Sequence, residues 1–375
     1  MIDPVELTRE LIRFKTVNPP GNETPCAEYI GGILERAGFS IAYHPIADAE
    51  DRTNLIARIG GSGDKKPLCF SGHTDVVPLG AAPWKCPPFA ADIADGRIYG
   101  RGSSDMKGGV AALVAAAVAL APHLQGTPGL VLVITADEER GCVGANFLAD
   151  KPGALGEAGA LVIAEPTYNR PLNGHKGVLR VEGVATGVTA HGSMPEEGEN
   201  AVYKAARIVS RLETLSLDGG RSQVADKPTI NVGWFHGGMN INSVPDEARI
   251  GLDIRLVPGL TDTDVLAKLA AIGGADMTFS PFNYAPAVFT DPADPWIAEV
   301  REIVSTITGE HHDPAIASYF TDAEALARGY GHPPAIILGP GELHMAHQTD
   351  EYCLISRIEQ ATAAFTEIGR RWCGL

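Results

Sequence analysis

The stretch LVLVITADEERG, residues 130–141, decides the fold. Residues 130–135 form a continuous apolar run of strand length, which is typical of a strand buried on both faces of a mostly parallel sheet. Strand-like and helix-like runs alternate on its N-terminal side, and this alternation predicts an α/β fold built in layers. The strand-like runs are residues 40–44, 55–59 and 68–71, and the helix-like runs are residues 3–14, 24–37 and 108–120.

The pattern changes near Leu172, where a second domain begins. Strand-like and helix-like runs then follow in the order β-α-β-β-α, with a last strand at residues 276–280, and this is the order of a ferredoxin-like split unit. The α/β pattern returns after residue 286. We therefore predict a mixed, mostly parallel α/β domain at residues 1–173 and 287–375. A ferredoxin-like α+β domain, acting as a lid and dimerisation domain, is inserted at residues 174–286.

The composition argues against two classes of binding partner, nucleic acids and membranes. The 30 Lys and Arg residues against 46 Asp and Glu residues give a net charge of −16, so the average surface repels nucleic acid and anionic membranes. The longest apolar run, residues 110–121, is shorter than the roughly 20 residues that span a bilayer, and it predicts a buried helix. The N-terminus lacks a secretory signal pattern, so we expect a cytoplasmic protein with reduced cysteines.

His, Asp and Glu residues occur at five transitions from strand to loop. In the first, an apolar strand ends at Gly72, and His73 and Asp75 follow. Residues two apart in an extended backbone point the same way, so Asp75 can orient the ring of His73. The alternative is a capped turn that carries a surface histidine.

Three further segments each carry an acidic residue. Asp105 stands among glycines before an Ala-rich helix, where the alternative is a simple N-cap. Asp137, Glu138 and Glu139 follow the buried strand directly, and three adjacent carboxylates repel one another unless a cation lies among them. The alternative there is a solvated acidic turn. Glu165 follows the apolar run at residues 161–164.

The fifth segment, residues 338–351, contains two histidines. His347, with Asp350 and Glu351 close by, is the better ligand candidate, whereas we expect His344 to pack or to line the entrance. Cys142, beside the acidic segment, is interpreted as a packing residue.

The ends of parallel strands meet at one edge of a sheet, so the five segments can converge there. Two histidines and three carboxylates, one of them shared, suit two divalent metal ions about 3.5–4 Å apart. Glu138 is then free to act as a base toward metal-activated water. The candidate ligands are His73, Asp105, Glu139, Glu165 and His347.

Five segments resemble, in this order, the acetylornithine deacetylase and succinyl-diaminopimelate desuccinylase family. That family comprises co-catalytic zinc amidohydrolases related to aminoacylases and zinc carboxypeptidases. The segments are SGHTDVVP (71–78), YGRGSSDMKGG (99–109), TADEERG (135–141), VIAEPT (162–167) and GPGELHMAHQTDEY (339–352).

The resemblance implies two divalent ions, zinc with cobalt or manganese as alternatives. It implies that Asp75 orients a ligand and that Glu138 is the general acid/base. The implied ligands are Asp105 between the two ions, His73 and Glu165 on one ion, and Glu139 and His347 on the other.

The resemblance also assigns residues that contact substrate. In the inserted domain, His191 would polarise the scissile carbonyl, and Asn242 and Arg255 would hold substrate. Gly341, in the fifth segment, is a further substrate-binding candidate. For Arg255 the alternative is an ion pair with Asp253 or exposure to solvent. The family implies a homodimer formed through the inserted domain.

We therefore expect a metal-dependent amidohydrolase that cleaves the amide bond of a small N-acyl amino acid. The acetyl and succinyl groups remain equally open as the acyl group. One alternative is a dipeptidase or carboxypeptidase of the same family, and another is a metal-binding protein without activity. A serine hydrolase would require a G-x-S-x-G elbow, which the sequence lacks.

Overall fold

The structure is a computed structural model, and it describes residues 2–46, 49–217 and 227–375. The chain divides into two compact units. The large unit spans residues 1–174, 290–317 and 321–375, and the small unit spans residues 175–289 and 318–320.

Helices and strands alternate through most of the described chain. The helices are α1 (Pro4–Arg13), α2 (Thr24–Arg36), α3 (Gly108–Leu120), α4 (Val143–Asp150), α5 (Ala201–Glu213), α6 (Asp262–Gly273), α7 (Pro295–Thr308), α8 (Ala323–Tyr330) and α9 (Ile355–Cys373). The strands are β1 (Ser40–Ile46), β2 (Ala49–Ile59), β3 (Leu68–His73), β4 (Asp92–Ala94), β5 (Arg97–Tyr99), β6 (Leu130–Thr135), β7 (Ala160–Ile163), β8 (Gly174–His175), β9 (Gly177–Thr186), β10 (Thr229–Gly237), β11 (Glu247–Leu256), β12 (Thr278–Ala285), β13 (Val288–Phe289), β14 (Ala335–Ile337) and β15 (Tyr352–Leu354).

The large unit is built on a six-stranded sheet with the order β1-β2-β6-β3-β7-β14. Strands β6, β3, β7 and β14 are parallel to one another, and β1 and β2 are antiparallel at one edge. Every residue of β3, β6 and β7 is buried, as continuous apolar runs require. The predicted mixed, mostly parallel α/β fold is confirmed.

The Ala-rich helix α3 is buried in the large unit. It contacts α1 and α9, and Val110 and Leu113 have no exposed surface. The helical segment Ser103–His123 is long and apolar enough to cross a membrane, but 83% of its most apolar window is covered by the fold. The apolar run at residues 110–121 is therefore a core helix, as predicted.

Helix α3 begins in close contact with the end of β7. A Cβ atom on Gly109 would lie 2.1 Å from the carbonyl oxygen of Ala164, so only glycine fits there. Asp105 precedes α3 and Glu165 follows Ala164. The contact therefore brings two candidate ligands together.

The short strands β15, β5 and β4 form a three-stranded sheet that the sequence did not predict. Tyr352 pairs with Tyr99 in this sheet. The pairing places Glu351 beside the loop that leads from β5 to Asp105.

The small unit contains a four-stranded antiparallel sheet with the order β10-β11-β9-β12. Helices α5 and α6 bury Ile208 and Leu269 against sheet residues such as Leu179 and Ile250. The last strand lies at Thr278–Ala285 rather than at residues 276–280. It includes Pro281, which is tolerated because β12 is an edge strand whose register shifts there. The lid and dimerisation roles remain predictions.

Candidate metal centre

The candidate ligands and the candidate base gather at one edge of the central sheet. Three of their segments follow the parallel strands β3, β6 and β7, whose carboxyl ends lie at the same edge. The other two segments precede α3 and β15. The residues are His73, Asp105, Glu138, Glu139, Glu165 and His347.

The two carboxylate oxygens of Asp105 face two different histidines. Oδ1 lies 3.3 Å from His73 Nε2, and Oδ2 lies 3.5 Å from His347 Nε2. Two ligands of one tetrahedral ion, with bonds of about 2.1 Å, lie about 3.4 Å apart. Both distances match this separation, so the geometry suits a carboxylate shared by two ions.

Each histidine also faces a second carboxylate. His347 Nε2 lies 3.1 Å from Glu139 Oε2, and His73 Nε2 lies 3.9 Å from Glu165 Oε1. The other oxygen of Glu139, Oε1, is buried and accepts no hydrogen bond within the described residues. Buried acceptors are rarely left without a partner, and a cation supplies one. The donor set therefore fits two divalent metal ions.

Burial shapes the electrostatics of the carboxylates. It raises the pKa values of Glu138 and Glu165 well above the ordinary value for glutamate, and it raises the pKa of Glu139 as well. Charged carboxylates in such a place are unfavourable without a cation, because burial removes the water that would stabilise them.

The pKa values of the two histidines are raised, so both rings favour the protonated form, whose positive charge balances the carboxylates. Burial lowers the pKa of His73, but hydrogen bonds to Asp105 and Asp75 outweigh burial and raise this pKa well above its ordinary value. Hydrogen bonds to Asp105 and Glu139 raise the pKa of His347 to about 10. Protons on these rings balance the carboxylates, and metal binding would release those protons.

Asp75 organises the centre through more groups than the sequence predicted. The Nδ1 atom of His73 lies 3.0 Å from the backbone oxygen of Asp75 and 3.6 Å from its carboxylate. The carboxylate accepts hydrogen bonds from the backbone nitrogens of Glu138 and Glu139 at 3.1 and 3.2 Å. Asp75 is therefore placed to orient both a histidine ligand and the acidic loop, residues 137–139.

A buried polar network behind Asp75 has no local signal in the sequence. Asn18 donates hydrogen bonds from Nδ2 to Asp75 at 2.7 Å and to Asp137 at 2.8 Å. Arg52 pairs with Asp137 and with Glu23, both at 2.9 Å. The network ties three distant segments to the acidic loop. An asparagine before two prolines suggests only a turn, so sequence reasoning missed it.

Glu351 supports the Asp105 loop. Its carboxylate accepts hydrogen bonds from the backbone nitrogens of Gly102, Ser104 and Asp105 and lies 2.6 Å from Arg101 Nη1. Burial raises the pKa of Glu351 to about 7. Glu351 lies close to His347 in the sequence, but its oxygens bind the loop amides and Arg101, so it supports the Asp105 loop.

The loop before His347 packs tightly beside the centre. A Cβ on Gly341 would lie 2.2 Å from the backbone oxygen of Ser104, so glycine is required there for packing. His344 stacks on Tyr168 with its ring centroid at 6.0 Å, and its Nε2 lies 3.3 Å from the hydroxyl of Tyr352. His344 thus packs between aromatic rings, as expected. The substrate role of Gly341 remains a prediction.

In the small unit, the segments of His191 and Asn242 are neighbours. His191 forms a β-bridge with Ser243, and the nitrogen of Gly192 donates to the backbone oxygen of Asn242 at 2.7 Å. The Nδ1 atom of His191 lies 2.7 Å from the hydroxyl of Ser193. His191 and Asn242 are both exposed and so are accessible to a ligand.

Arg255 makes an ion pair within its own strand. Its Nε and Nη2 atoms donate to the two oxygens of Asp253 at 2.8 and 3.2 Å. Arg180 lies 3.5 Å from the same carboxylate, and Arg255 also lies over the ring of Phe320. The alternative pairing with Asp253 is therefore what the structure shows, and the substrate role of Arg255 remains a prediction.

Cys142 lies against the candidate base. Its Sγ atom is 3.5 Å from Glu138 Oε1. One ligand atom from each of Glu138, Cys142 and Asp322 lies within 4.8 Å of the other two, and all three residues are buried. Burial raises the pKa of the Cys142 thiol well above its ordinary value. The protonated thiol packs against the Glu138 carboxylate and donates a weak hydrogen bond to it.

Comparison with known proteins gives one family. The model of peptidase family M20/M25/M40 matches residues 69–371. A succinyl-diaminopimelate desuccinylase from Cereibacter sphaeroides is 33% identical, over 98% of this chain and 98% of its own. An acetylornithine deacetylase from Myxococcus xanthus is 31% identical, over 97% of this chain and 96% of its own.

Solved structures share the fold. An M20 family metallo-carboxypeptidase from Sulfolobus solfataricus superimposes with a TM-score of 0.79 at 20% identity, covering 100% of both chains. A dinuclear metal-binding peptidase of the M20 family from Bacillus subtilis gives a TM-score of 0.74 at 17% identity, over 99% of this chain and 98% of its own.

Proposed function

The chain belongs to the peptidase family M20/M25/M40, and from this premise we propose that it cleaves the amide bond of an N-acyl amino acid in a metal-dependent reaction. The resemblance carried by the five sequence segments is confirmed. The desuccinylase and deacetylase relatives point to an enzyme of either the acetylornithine or the succinyl-diaminopimelate type. The single observation that carries the proposal is Asp105 with its two oxygens facing His73 and His347.

Two divalent ions would be held by the residues whose geometry fits them. Asp105 would lie between the ions, with His73 and Glu165 on one and Glu139 and His347 on the other. Such ions supply Lewis-acid chemistry and lower the pKa of water toward about 7. Imidazole and carboxylate ligands suit zinc, with cobalt or manganese as alternatives.

Glu138 is the general acid/base of the proposed mechanism. Its Oε2 atom lies 3.9 Å from His73 Nε2, so this oxygen is on the side of the ligands. The carboxylate takes a proton from the attacking water and returns it to the nitrogen of the departing amine. Burial raises the pKa of Glu138, which favours holding that proton between the two steps. The carboxylate of Asp75 keeps Glu138 in place by accepting a hydrogen bond from the backbone nitrogen of Glu138.

The small unit would supply groups that bind and polarise the substrate. An imidazole such as His191 donates a hydrogen bond to the oxygen on which negative charge develops. Asn242, on the neighbouring segment, would position the acyl amino acid, and so would Gly341, which belongs to the large unit. Arg255 would bind its carboxylate through paired N–H groups. These roles rest on the family segments.

Assembly and location complete the proposal. The protein acts in the cytoplasm on a small-molecule substrate, and two copies associate through the inserted domain predicted at residues 174–286, which serves as lid and dimerisation domain. The metal-binding domain is then residues 1–173 and 287–375.

Two other functions remain to be separated from this one. A dipeptidase or carboxypeptidase of the same family would use the same metal centre on a peptide bond. A metal-binding protein without activity would be expected to lack the base or a ligand. Here Glu138 and all five candidate ligands are present at one edge of the sheet.

The experiment is to measure release of free amine by metal-loaded protein. The substrates are N-acetyl, N-succinyl and N-formyl amino acids and a set of dipeptides, each with a chelator-treated control. We expect turnover of acetylornithine or succinyl-diaminopimelate that the chelator abolishes. Preferential cleavage of dipeptides would favour the peptidase, and turnover that resists the chelator would overturn the metal-dependent reaction.

A further inference from the structure

A second group of metal-ligating side chains lies beside the metal centre. Glu138, Cys142 and Asp322 each offer one ligand atom, and the three atoms lie within 4.8 Å of one another. We propose that this group, the thiol site, is a third and inhibitory site for a thiophilic divalent cation such as Zn²⁺ or Cd²⁺. Its inhibitory effect rests on the proposed function, because it acts by occupying Glu138.

The distance between two of the ligands matches metal coordination. Cys142 Sγ lies 3.5 Å from Glu138 Oε1. A sulfur at about 2.3 Å and an oxygen at about 2.1 Å from one tetrahedral ion lie about 3.5 Å apart. The pair is therefore already spaced as two ligands of one ion.

Asp322 supplies an acceptor without a well-aligned partner. The residue is only 1% exposed, and its Oδ2 atom accepts a hydrogen bond from the hydroxyl of Thr135 at 2.5 Å. Its Oδ1 atom is buried and accepts no well-aligned hydrogen bond from any residue that the structure describes, and the Cys142 thiol lies within hydrogen-bonding reach of this carboxylate. An unpaired buried carboxylate oxygen is costly, and a bound cation removes that cost.

Without a cation, burial favours the neutral forms of Asp322 and Cys142, and a bound cation would favour their charged forms. Burial raises the pKa of Asp322 to about 6 and raises the pKa of Cys142 further from its ordinary value. Over the described ranges, no lysine or arginine forms an ion pair with Glu138 or Asp322. A metal ion would bind the sulfur as thiolate and release the thiol proton to solvent. One thiolate with two carboxylates selects zinc or cadmium over magnesium and calcium.

Occupation of the thiol site would block the reaction at Glu138. An ion bound to Oε1 holds the carboxylate toward Cys142 and neutralises the charge with which it accepts a proton from water. Activity should therefore rise as the metal centre fills and fall again when a further ion binds. Binding at the metal centre and binding at the thiol site can be measured separately, because the candidate ligands of the metal centre include no sulfur.

Cobalt is the probe for this site. Titration of Co²⁺ into metal-free protein should give a near-ultraviolet thiolate-to-cobalt charge-transfer band once two equivalents are bound, and hydrolysis should fall as this band grows. In Cys142→Ala the band should be absent. The Co²⁺ concentration that halves this variant's own maximal activity should be higher than in the unaltered protein by about 100-fold or more. Loss of an outer-sphere partner weakens metal binding by about 10- to 100-fold, and loss of a direct ligand weakens it further.

Two further variants test the assignment. Cys86→Ala removes a partly exposed cysteine elsewhere and should keep both the band and the inhibition. Asp322→Asn keeps the thiol and should weaken binding of the third equivalent. Equilibrium dialysis of the unaltered protein with Cd²⁺ should give three bound ions, a result that needs no variant to fold.

Saturation at two ions, or a charge-transfer band that persists in Cys142→Ala, would overturn the thiol site. Hydrolysis without any charge-transfer band would also overturn the thiol site, but the proposed function would stand. A band without turnover of any substrate would overturn the proposed function and the inhibitory effect, while the third site would stand.

Discussion

Glu351 accepts a hydrogen bond from the backbone nitrogen of Asp105 at 3.0 Å. The same carboxylate also accepts from two other backbone nitrogens of the loop and pairs with the buried Arg101. Asp105 thus owes its position to a residue 246 positions away in the chain.

Replacement of Glu351 by alanine should destabilise both the fold and the metal centre. It leaves Arg101 buried without its counter-charge, which costs about 3–5 kcal/mol of unfolding free energy. Metal content should fall as the Asp105 loop loosens. Denaturant unfolding and metal analysis measure the two effects. Glu6→Ala is the control, because Glu6 is exposed and its pair with Arg9 contributes at most about 1 kcal/mol. Equal effects of the two variants would contradict the role of Glu351.

Glu138→Gln should remove turnover and keep the metal ions. The amide cannot accept the proton of water, so we expect a loss of about 100- to 10,000-fold in kcat. Glu139→Gln should instead reduce metal content, because Glu139 is a ligand candidate. Steady-state kinetics together with metal analysis separate the two. Turnover close to that of the unaltered enzyme in metal-loaded Glu138→Gln would refute the assigned acid/base.

Gly109→Ala should destabilise the large unit. The added Cβ would lie 2.1 Å from the Ala164 oxygen, and overpacking of this kind costs about 1–3 kcal/mol. Gly32→Ala is the matched control. Gly32 lies inside α2, and its Cβ would meet only the end of the Arg36 side chain at 3.5 Å. That variant should gain about 0.5–1 kcal/mol, because alanine favours a helix over glycine. Thermal or denaturant unfolding measures the loss of stability in Gly109→Ala and the gain in Gly32→Ala.

Stability should fall in acid through His175. Burial lowers the pKa of His175 to about 4, against about 6.5 in an unfolded chain. The unfolded chain binds this proton more tightly. The free energy of unfolding therefore decreases as pH drops from about 6.5 to 4, by about 3 kcal/mol in total. The contribution is fully present above pH 6.5.

His175→Gln isolates this effect because glutamine does not titrate. The difference in unfolding free energy between unaltered protein and variant should shrink by about 3 kcal/mol between pH 7.5 and pH 4. Metal-free protein is used for both, so that loss of metal in acid does not contribute. A difference that is independent of pH would show that His175 does not stay neutral in the fold.

Arg255→Ala should raise KM with little change in kcat if Arg255 binds the substrate carboxylate. Loss of a hydrogen bond to a charged group costs about 1.5–3 kcal/mol, or roughly 10- to 100-fold in KM. Arg207→Ala is a suitable control, since Arg207 makes an exposed ion pair with Asp276 at 3.5 Å. An unchanged KM would leave Arg255 with only its structural pair, Asp253.

Much of the centre could be predicted from local sequence, because parallel strands end at one edge of a sheet. The apolar runs before His73, Glu139 and Glu165 identify buried strands, and their ends must converge. The support given by Glu351 and Asn18 could not be predicted in this way. It depends on pairing between segments far apart in the chain, such as β15 with β5.

Two short helices were also missing from the sequence prediction. Helices α4 and α8 have eight residues each, so each offers few periodic positions. They contact one another, and Arg328 lies 2.7 Å from Asp150. Asp322, at the start of α8, is therefore a neighbour of Cys142 through tertiary packing, for which the sequence carries no local signal.

The central sheet is completed by β14, and the metal centre by His347, both of which come late in the chain. On the ribosome, the nascent polypeptide emerges from its N-terminus and folds domain by domain. All segments of the small unit, including residues 318–320, emerge before β14 does. The complete set of candidate ligands thus exists only after the segment that carries His347 has emerged, so a centre for two ions cannot form around the earlier segments alone.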